Sequence, residues 1–181
     1  MRRVAILLPM LAIATLLACG GGGGGDGSNS NLTGPTNCSA PPNGTFTATV
    51  NGAAWSACQL ATVRRDSSVS GKDTVRTVSI VATGAVSGNL TYAIVLSVAK
   101  TGPWAAGTFT TGTFPALSSV IVGSSTSAGW SASFGSGSGS ITLTTITNNH
   151  VTGTFTADAA PVTGGATGTL QIRNGKFDLS F

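Results

Sequence analysis

From residue 45 onward, apolar and polar positions alternate with a period of two, in short runs broken by Gly, Asn, Ser and Pro. That period belongs to strands with one buried face, and the breaks read as turns between them. The pattern is sharpest where a turn signal fixes the pairing. Residues 45–50 and 53–58 flank Asn51-Gly52, a pair suited to a two-residue type I′ turn because both central residues need positive φ. Such a turn sets Val50 opposite Ala53, Ala48 opposite Trp55 and Phe46 opposite Ala57, so these six apolar residues share one face. Thr45, Thr47, Thr49, Ala54, Ser56 and Cys58 share the other, and agreement between turn and pattern specifies the register.

Asn174-Gly175 predicts another hairpin by the same logic. Ile172 would face Phe177, Leu170 would face Leu179 and Gly168 would face Phe181. Thr169, Gln171, Arg173, Lys176, Asp178 and Ser180 would then face water, as one side of an antiparallel sheet can. A third hairpin joins residues 141–147 to 151–157. A two-residue Asn148-Asn149 turn there would set Thr142 opposite Phe155 and split the apolar residues between faces. A three-residue loop that includes His150 pairs Leu143 with Phe155 and Thr147 with Val151 instead, with His150 or Asn149 near the left-handed region. Leu90, Tyr92, Ile94, Leu96 and Val98 alternate as a buried strand, and residues 75–82, 117–122 and 129–134 read as further strands. Residues 64–76 read as a loop or ragged hairpin.

Composition supports an all-β chain. Charged residues make up 8% of it and Glu is absent, which leaves too little to coat the polar faces of helices. Thr, Ser, Val and Gly dominate, the residues of strands and turns.

The N-terminus has a different pattern. Arg2 and Arg3 precede an apolar run over residues 4–17, short of the ~20 residues a helix needs to cross a bilayer. It ends in Leu16-Leu17-Ala18-Cys19, the form of a bacterial lipobox on a targeting segment. Small Ala18 lets a signal peptidase reach the bond before Cys19; diacylglycerol then alkylates the thiol, and the freed amine is acylated. Several acyl chains on one residue hold a protein on a membrane. Residues 1–18 are therefore expected to be a lipoprotein signal peptide. Residues 19–37 would be the lipidated Cys19 and a disordered Gly/Ser/Asn tether, spanning about 23 Å on average, and residues 38–181 the β-domain. Gly20 rather than Asp follows Cys19, which by resemblance to enterobacterial sorting points to the outer membrane of the cell envelope. Cys38 and Cys58 remain as an even pair in an oxidising compartment and are expected to form a disulfide, closing a loop worth roughly 3 kcal/mol.

Certain segments carry a resemblance. Gly139-Ser-Ile-Thr-Leu-Thr, Val151-Thr-Gly-Thr-Phe-Thr-Ala and Ile172-Arg-Asn-Gly-Lys-Phe-Asp-Leu-Ser-Phe181, with the Phe-x-Ala-x-Val-Asn-Gly-x-x-Trp element of residues 46–55, resemble a family of uncharacterised bacterial lipoproteins with a domain of unknown function. The resemblance implies a compact antiparallel β-domain on a lipid tether. It brings no activity with it.

Charge and candidate chemistry exclude more than they suggest. The formal charge of +4 owes two units to Arg2 and Arg3, so the mature chain is not basic enough to read as a nucleic-acid binder. Six of its twelve charged residues fall within 64–76. His150 is the single histidine, and Asp occurs only at 26, 66, 73, 158 and 178. His150 and Asp158 sit at opposite ends of one predicted arm, about 26 Å apart. No Gly-x-Ser-x-Gly elbow appears. Gly-x-Gly-x-x-Gly occurs only inside the glycine run 20–25, and Gly71-Lys72 is followed by Asp rather than a P-loop residue. No catalytic residue, cofactor or metal site is expected.

Trp104 after Gly102-Pro103 and Trp130 after Gly129 are the candidate ligand-binding residues, because aromatics near loops stack on sugars or apolar ligands; their other use is to close a small core. The Thr-x-Thr runs suit solvent-facing strands. Phe177, Leu179 and Phe181 alternate like the last strand of an outer-membrane barrel, but lipidation, polar outer faces and missing aromatic girdles argue against one.

The expected fold is all-β: a single antiparallel β-sandwich or squat β-barrel of about eight to ten strands, behind the signal peptide and the Gly-rich tether. With 11 aromatics to stock a small core, a filled sandwich is favoured. The expected function is that of a membrane-anchored envelope lipoprotein with a non-catalytic binding or structural role, its partner a carbohydrate, an apolar ligand or an envelope protein. A lipocalin-like carrier of a small apolar ligand is the alternative, and a hydrolytic enzyme stands third.

Overall fold

The computed structural model describes residues 39–86, 91–113 and 116–181, and its regular elements are all β-strands. The expected signal peptide and tether, and Cys38, lie outside the described residues. Ten strands follow one another: β1 (Gly44–Val50), β2 (Ala53–Ser70), β3 (Asp73–Val86), β4 (Thr91–Thr101), β5 (Gly107–Thr110), β6 (Leu117–Ser124), β7 (Gly129–Ala132), β8 (Ser138–Ile146), β9 (His150–Thr163) and β10 (Leu170–Ser180). They form one antiparallel sheet in the order β10-β1-β2-β3-β4-β6-β7-β9-β8-β5, and β9 also pairs with β10. The ladder thus returns to its start.

A sandwich of two facing sheets, favoured above, gives way to one sheet closed into a ring. The reason lies in the length of β9. One of its edges carries β10 along residues 150–159. The other carries β8 along 151–158 and then β7 along 160–163, so two short strands share an edge that one long strand would otherwise fill. β5 pairs with the far edge of β8. It is tied to β6 by Ser118 Oγ, which donates to the Phe109 carbonyl at 3.2 Å.

The β1–β2 hairpin has the predicted register, Val50 opposite Ala53 and Ala48 opposite Trp55. Its turn residues Asn51 and Gly52 take φ of +47° and +82°, as type I′ geometry requires. The other Asn-Gly pair behaves differently. Residues 170–180 are one continuous strand rather than a hairpin, and Asn174 alone of the pair has positive φ, +53°. β10 takes three steps from Ile172 to Gly175 where β9 takes two, from Ala157 to Phe155. Against β1 it likewise takes three steps from Arg173 to Lys176 opposite Thr49 to Thr47. This is a β-bulge, and its extra residue switches the face that points inward. Leu170 and Ile172 are buried before it; Phe177 and Leu179 are buried after it. A hairpin would bury the same side chains, but a continuous strand finds ladder partners on both edges instead of one.

A bulge also corrects the β8–β9 hairpin. Asn148-Asn149 does form a two-residue turn, with Thr147 N donating to the His150 carbonyl at 2.9 Å and Ile146 opposite Val151. Neither Asn149 nor His150 has positive φ. An extra residue between Leu143 and Thr145 then shifts the register, so that Ile141 rather than Leu143 faces Phe155. The apolar residues stay together through the bulge and not through a longer loop.

Residues 64–76 are an ordered hairpin, paired to Ser70–Asp73 around Gly71-Lys72. The β3–β4 ladder supports this arm as far as Val75 opposite Thr101. Arg64 and Asp66 form an ion pair of 2.9 Å on its outer face.

Inside the ring the side chains make one core. Phe46 is its hub, edge-on to Trp55 at 5.5 Å between centroids, tilted on Phe155 at 5.1 Å and stacked on Phe177 at 6.1 Å. Such pairs add about 0.5–1.5 kcal/mol each beyond their buried area. Ile80, Ile94, Leu96, Val120, Ile141 and Leu143 complete the packing from the remaining walls.

The bulge on β10 requires a residue without a side chain after Asn174. A Cβ on Gly175 would lie 2.5 Å from both the Phe155 carbonyl oxygen and a Phe155 ring carbon. Gly175→Ala should lower stability by about 1–3 kcal/mol, whereas Gly123→Ala, whose Cβ would meet no atom within 4 Å, should stay within about 0.5 kcal/mol. Urea unfolding followed by tryptophan fluorescence measures both.

Candidate functional site

The two candidate tryptophans sit near opposite ends of the ring, each half-buried against the core. Trp104 lies in the β4–β5 connection. Trp130 lies on β7, its indole N–H donating to the Gly168 carbonyl at 3.2 Å and its ring edge-on to Tyr92 at 6.4 Å. Both pack against the core with part of the ring exposed, and Trp130 has its polar atom satisfied. Burial pushes the Tyr92 phenol above its ordinary pKa. Cys58 stands half-buried on the outer side of β2, where that strand takes four steps from Ala57 to Ala61 against two on β3. Cys19 and Cys38 lie outside the described residues.

The stretch just before β1 meets Phe181 at one end of the ring, called here the upper end. Ser180 N donates to the Asn43 carbonyl at 2.8 Å, Phe181 N to the Asn149 carbonyl at 2.9 Å, and Asn43 Nδ2 to the Ala61 carbonyl at 2.6 Å. His150 and Asp178 face each other here across β9 and β10, with Nε2 to Oδ1 at 2.7 Å. The carboxylate fixes the orientation of the imidazole, and among the described residues it is that ring's one side-chain hydrogen-bond partner. Arg65 reaches across from β2, donating to the Thr147 carbonyl and placing its guanidinium 5.9 Å from the centroid of the Phe181 ring. Its Nε is buried without a partner among the described residues. Lower on the wall Arg173 binds Asp158 at 2.5 Å and also donates to the Ala157 and Ile172 carbonyls, beside the β10 bulge.

The charges are unevenly spread. Arg64, Arg65, Lys72, Arg76 and Lys100 are carried on the β2–β3 arm and the adjoining end of β4, all at the upper end. Arg65, Arg76 and Lys100 share the inward-facing parity of Val63, Val78 and Val98, and Arg76 is directly opposite Lys100. At the other end, the described connections 51–52, 125–128 and 164–169 contain no charged residue. Among the described residues no three of His, Cys, Asp and Glu come together as metal ligands.

Comparison of the chain with family models, with curated proteins and with solved structures gave no match. The reading therefore rests on the chain's own residues.

Sequence reasoning had Asp178 on the solvent face and His150 at a turn but did not join them. Their pairing follows from β9 and β10 being neighbours, and the glycine-rich connection 164–169 was the available signal for that adjacency. The upper cationic end was equally hidden, because 64–76 read as a loop or ragged hairpin and the buried strand read from Leu90 stopped at Val98, short of Lys100.

Tyr92 is the only tyrosine in the chain, so tyrosinate absorbance reports it alone. Its midpoint should lie above 10.0. Since the folded pKa is the raised one, the unfolded chain loses its proton first, and stability should fall as pH rises past about 10. Tyr92→Phe should remove that part of the alkaline loss. Separately, Arg173→Ala should cost about 1–3 kcal/mol through its charge-assisted bonds to Asp158 and two carbonyls. The more exposed His150–Asp178 pair, tested as Asp178→Asn, should cost less than about 1 kcal/mol. Chemical denaturation at neutral pH compares the two.

Proposed function

We propose that this protein is a lipid-anchored lipoprotein of the cell envelope, outer-membrane attached through Cys19, whose closed β-domain has a non-catalytic binding or structural role. The observation that carries the reading is Leu16-Leu17-Ala18-Cys19 at the end of a short apolar run, followed at once by six glycines. A packed β-domain behind a glycine-rich tether fits that role. Its interior is occupied by Phe46, Trp55, Phe155 and Phe177, which weighs against a carrier with a ligand inside the ring and leaves the outer walls and the two ends for partners. Carbohydrate, apolar groups or another envelope protein remain the partner classes, with Trp104 and Trp130 the aromatic contacts nearest the ends. Cys38 belongs to the same proposal as the disulfide partner of Cys58. The Asn43 bond to Ala61 holds the incoming chain alongside β2 a few residues beyond Cys58, which supports a short bridge there.

Cys19→Ala should leave the protein unlipidated, shifting it from the membrane fraction after cell lysis, and metabolic labelling with a palmitate analogue should fail. Lipid incorporation unaffected by the substitution would sink the anchor. Native mass spectrometry of protein taken from its own envelope tests the carrier alternative. A bare polypeptide mass is expected, and an added mass that leaves on denaturation would favour a carrier instead.

A further inference from the structure

The end of the ring where the chain enters is also its cationic end, and its outermost point is apolar. Ser39–Asn43 precede β1 beside the C-terminus, and the β2–β3 arm rises from the same end. Five of the seven described cations are here, Arg64, Arg65, Lys72, Arg76 and Lys100, against Asp66, Asp73 and Asp178. Asp66 is held by Arg64 and Asp178 by His150. Arg76 has no ion-pair or hydrogen-bond partner for its side chain among the described residues, although Lys100 stands directly opposite it. Like charges so placed repel, and an external anion relieves them. At the tip of the arm Val69 is 78% exposed, the most exposed large hydrophobic residue described, two positions before the Gly71-Lys72 turn.

We propose that this end is a docking surface for a bilayer of anionic phospholipid, with Lys72, Arg76 and Lys100 at headgroup phosphates and Val69 inserted between the headgroups. The proposal rests on the lipid-anchor reading for its geometry: an anchor at Cys19 draws toward the bilayer the end at which the chain enters, and the opposite end offers no charged residue in its described connections. Each cation near an anionic surface strengthens docking about fivefold. Three or four of them are weak alone, yet sufficient to orient a domain that its lipid already holds there. The tether then sets distance and the arm sets orientation.

The test uses the chain isolated with its anchor from the envelope, carrying Val69→Cys labelled with nitrobenzoxadiazole. A second preparation carries the label at Ser125→Cys, at the charge-free end, and the unsubstituted chain controls for labelling elsewhere. Each is mixed with vesicles of phosphatidylcholine alone, or with about a third phosphatidylglycerol, enough to give a negative surface potential. The expected result is a blue shift and quenching by spin-labelled lipid at position 69 on the anionic vesicles only, reversed at about 0.5 M salt. Position 125 should stay aqueous throughout. Arg76→Gln with Lys100→Gln should lower the ratio of docked to undocked tip about 25-fold, and Arg76→Lys, which keeps charge and fold, should preserve docking. An aqueous position 69 on anionic vesicles that carry the chain would overturn the docking while leaving the anchor intact. An equal shift on pure phosphatidylcholine would overturn recognition of anionic headgroups. Failure to float with phosphatidylcholine vesicles would count against the anchor alone; in that case flotation and a tip shift on anionic vesicles would uphold docking, and their absence would end it.

Discussion

Everything in this fold depends on β9 being hydrogen-bonded along both edges. A sheet of short twisted strands has two exposed edges unless it closes, and open edges pair with whatever is available. Here the closing strand carries β10 on one side and β8 and β7 in succession on the other. The interior that results is narrow enough for four aromatic rings and branched aliphatic side chains to fill. The core positions, the half-buried tryptophans near the ends and the meeting of Asn43 with Ser180 at one end all follow from that closure.

Bulges make the closure compatible with the sequence. Strand pairing imposes a period of two, but a sheared ring requires local shifts between neighbours. One extra residue at Asn174-Gly175 turns the inward face over halfway along β10, and another between Leu143 and Thr145 realigns β8 on β9. At both places the apolar residues read correctly as inward-facing while the backbone route was read wrongly. Asn-Gly serves a type I′ turn when two residues take positive φ and a bulge when one does. Local sequence does not distinguish the two; the availability of partners on both strand edges does. At Asn51-Gly52 a turn forms because the chain must reverse to build β2, and there the sequence reading was complete.

The cationic end was less legible than the core. Alternation identifies which face of a strand is buried, and so it located Phe46, Trp55, Ile94 and Leu179. It does not say which strands are neighbours. Arg76 and Lys100 are 24 positions apart and His150 and Asp178 are 28; each pair exists only through the β3–β4 or β9–β10 ladder. The charged run 64–76 was visible as composition, yet its arrangement depends on β4 extending far enough to support an arm that has few apolar contacts of its own.

The ring is closed by strands from the two ends of the described chain. Gln171 N bonds to Asn51 Oδ1 across 120 positions, and Ser180 N bonds to the carbonyl of Asn43. Contacts of such sequence separation form late, after the entropy of closing a long loop has been overcome. A chain synthesised from its N-terminus therefore presents β1 and β2 long before β10 exists to cover them. Over that interval the hairpin at Asn51-Gly52 has one unpaired edge and half a core. Until the C-terminal strand emerges, that edge stays open to pairing with other chains.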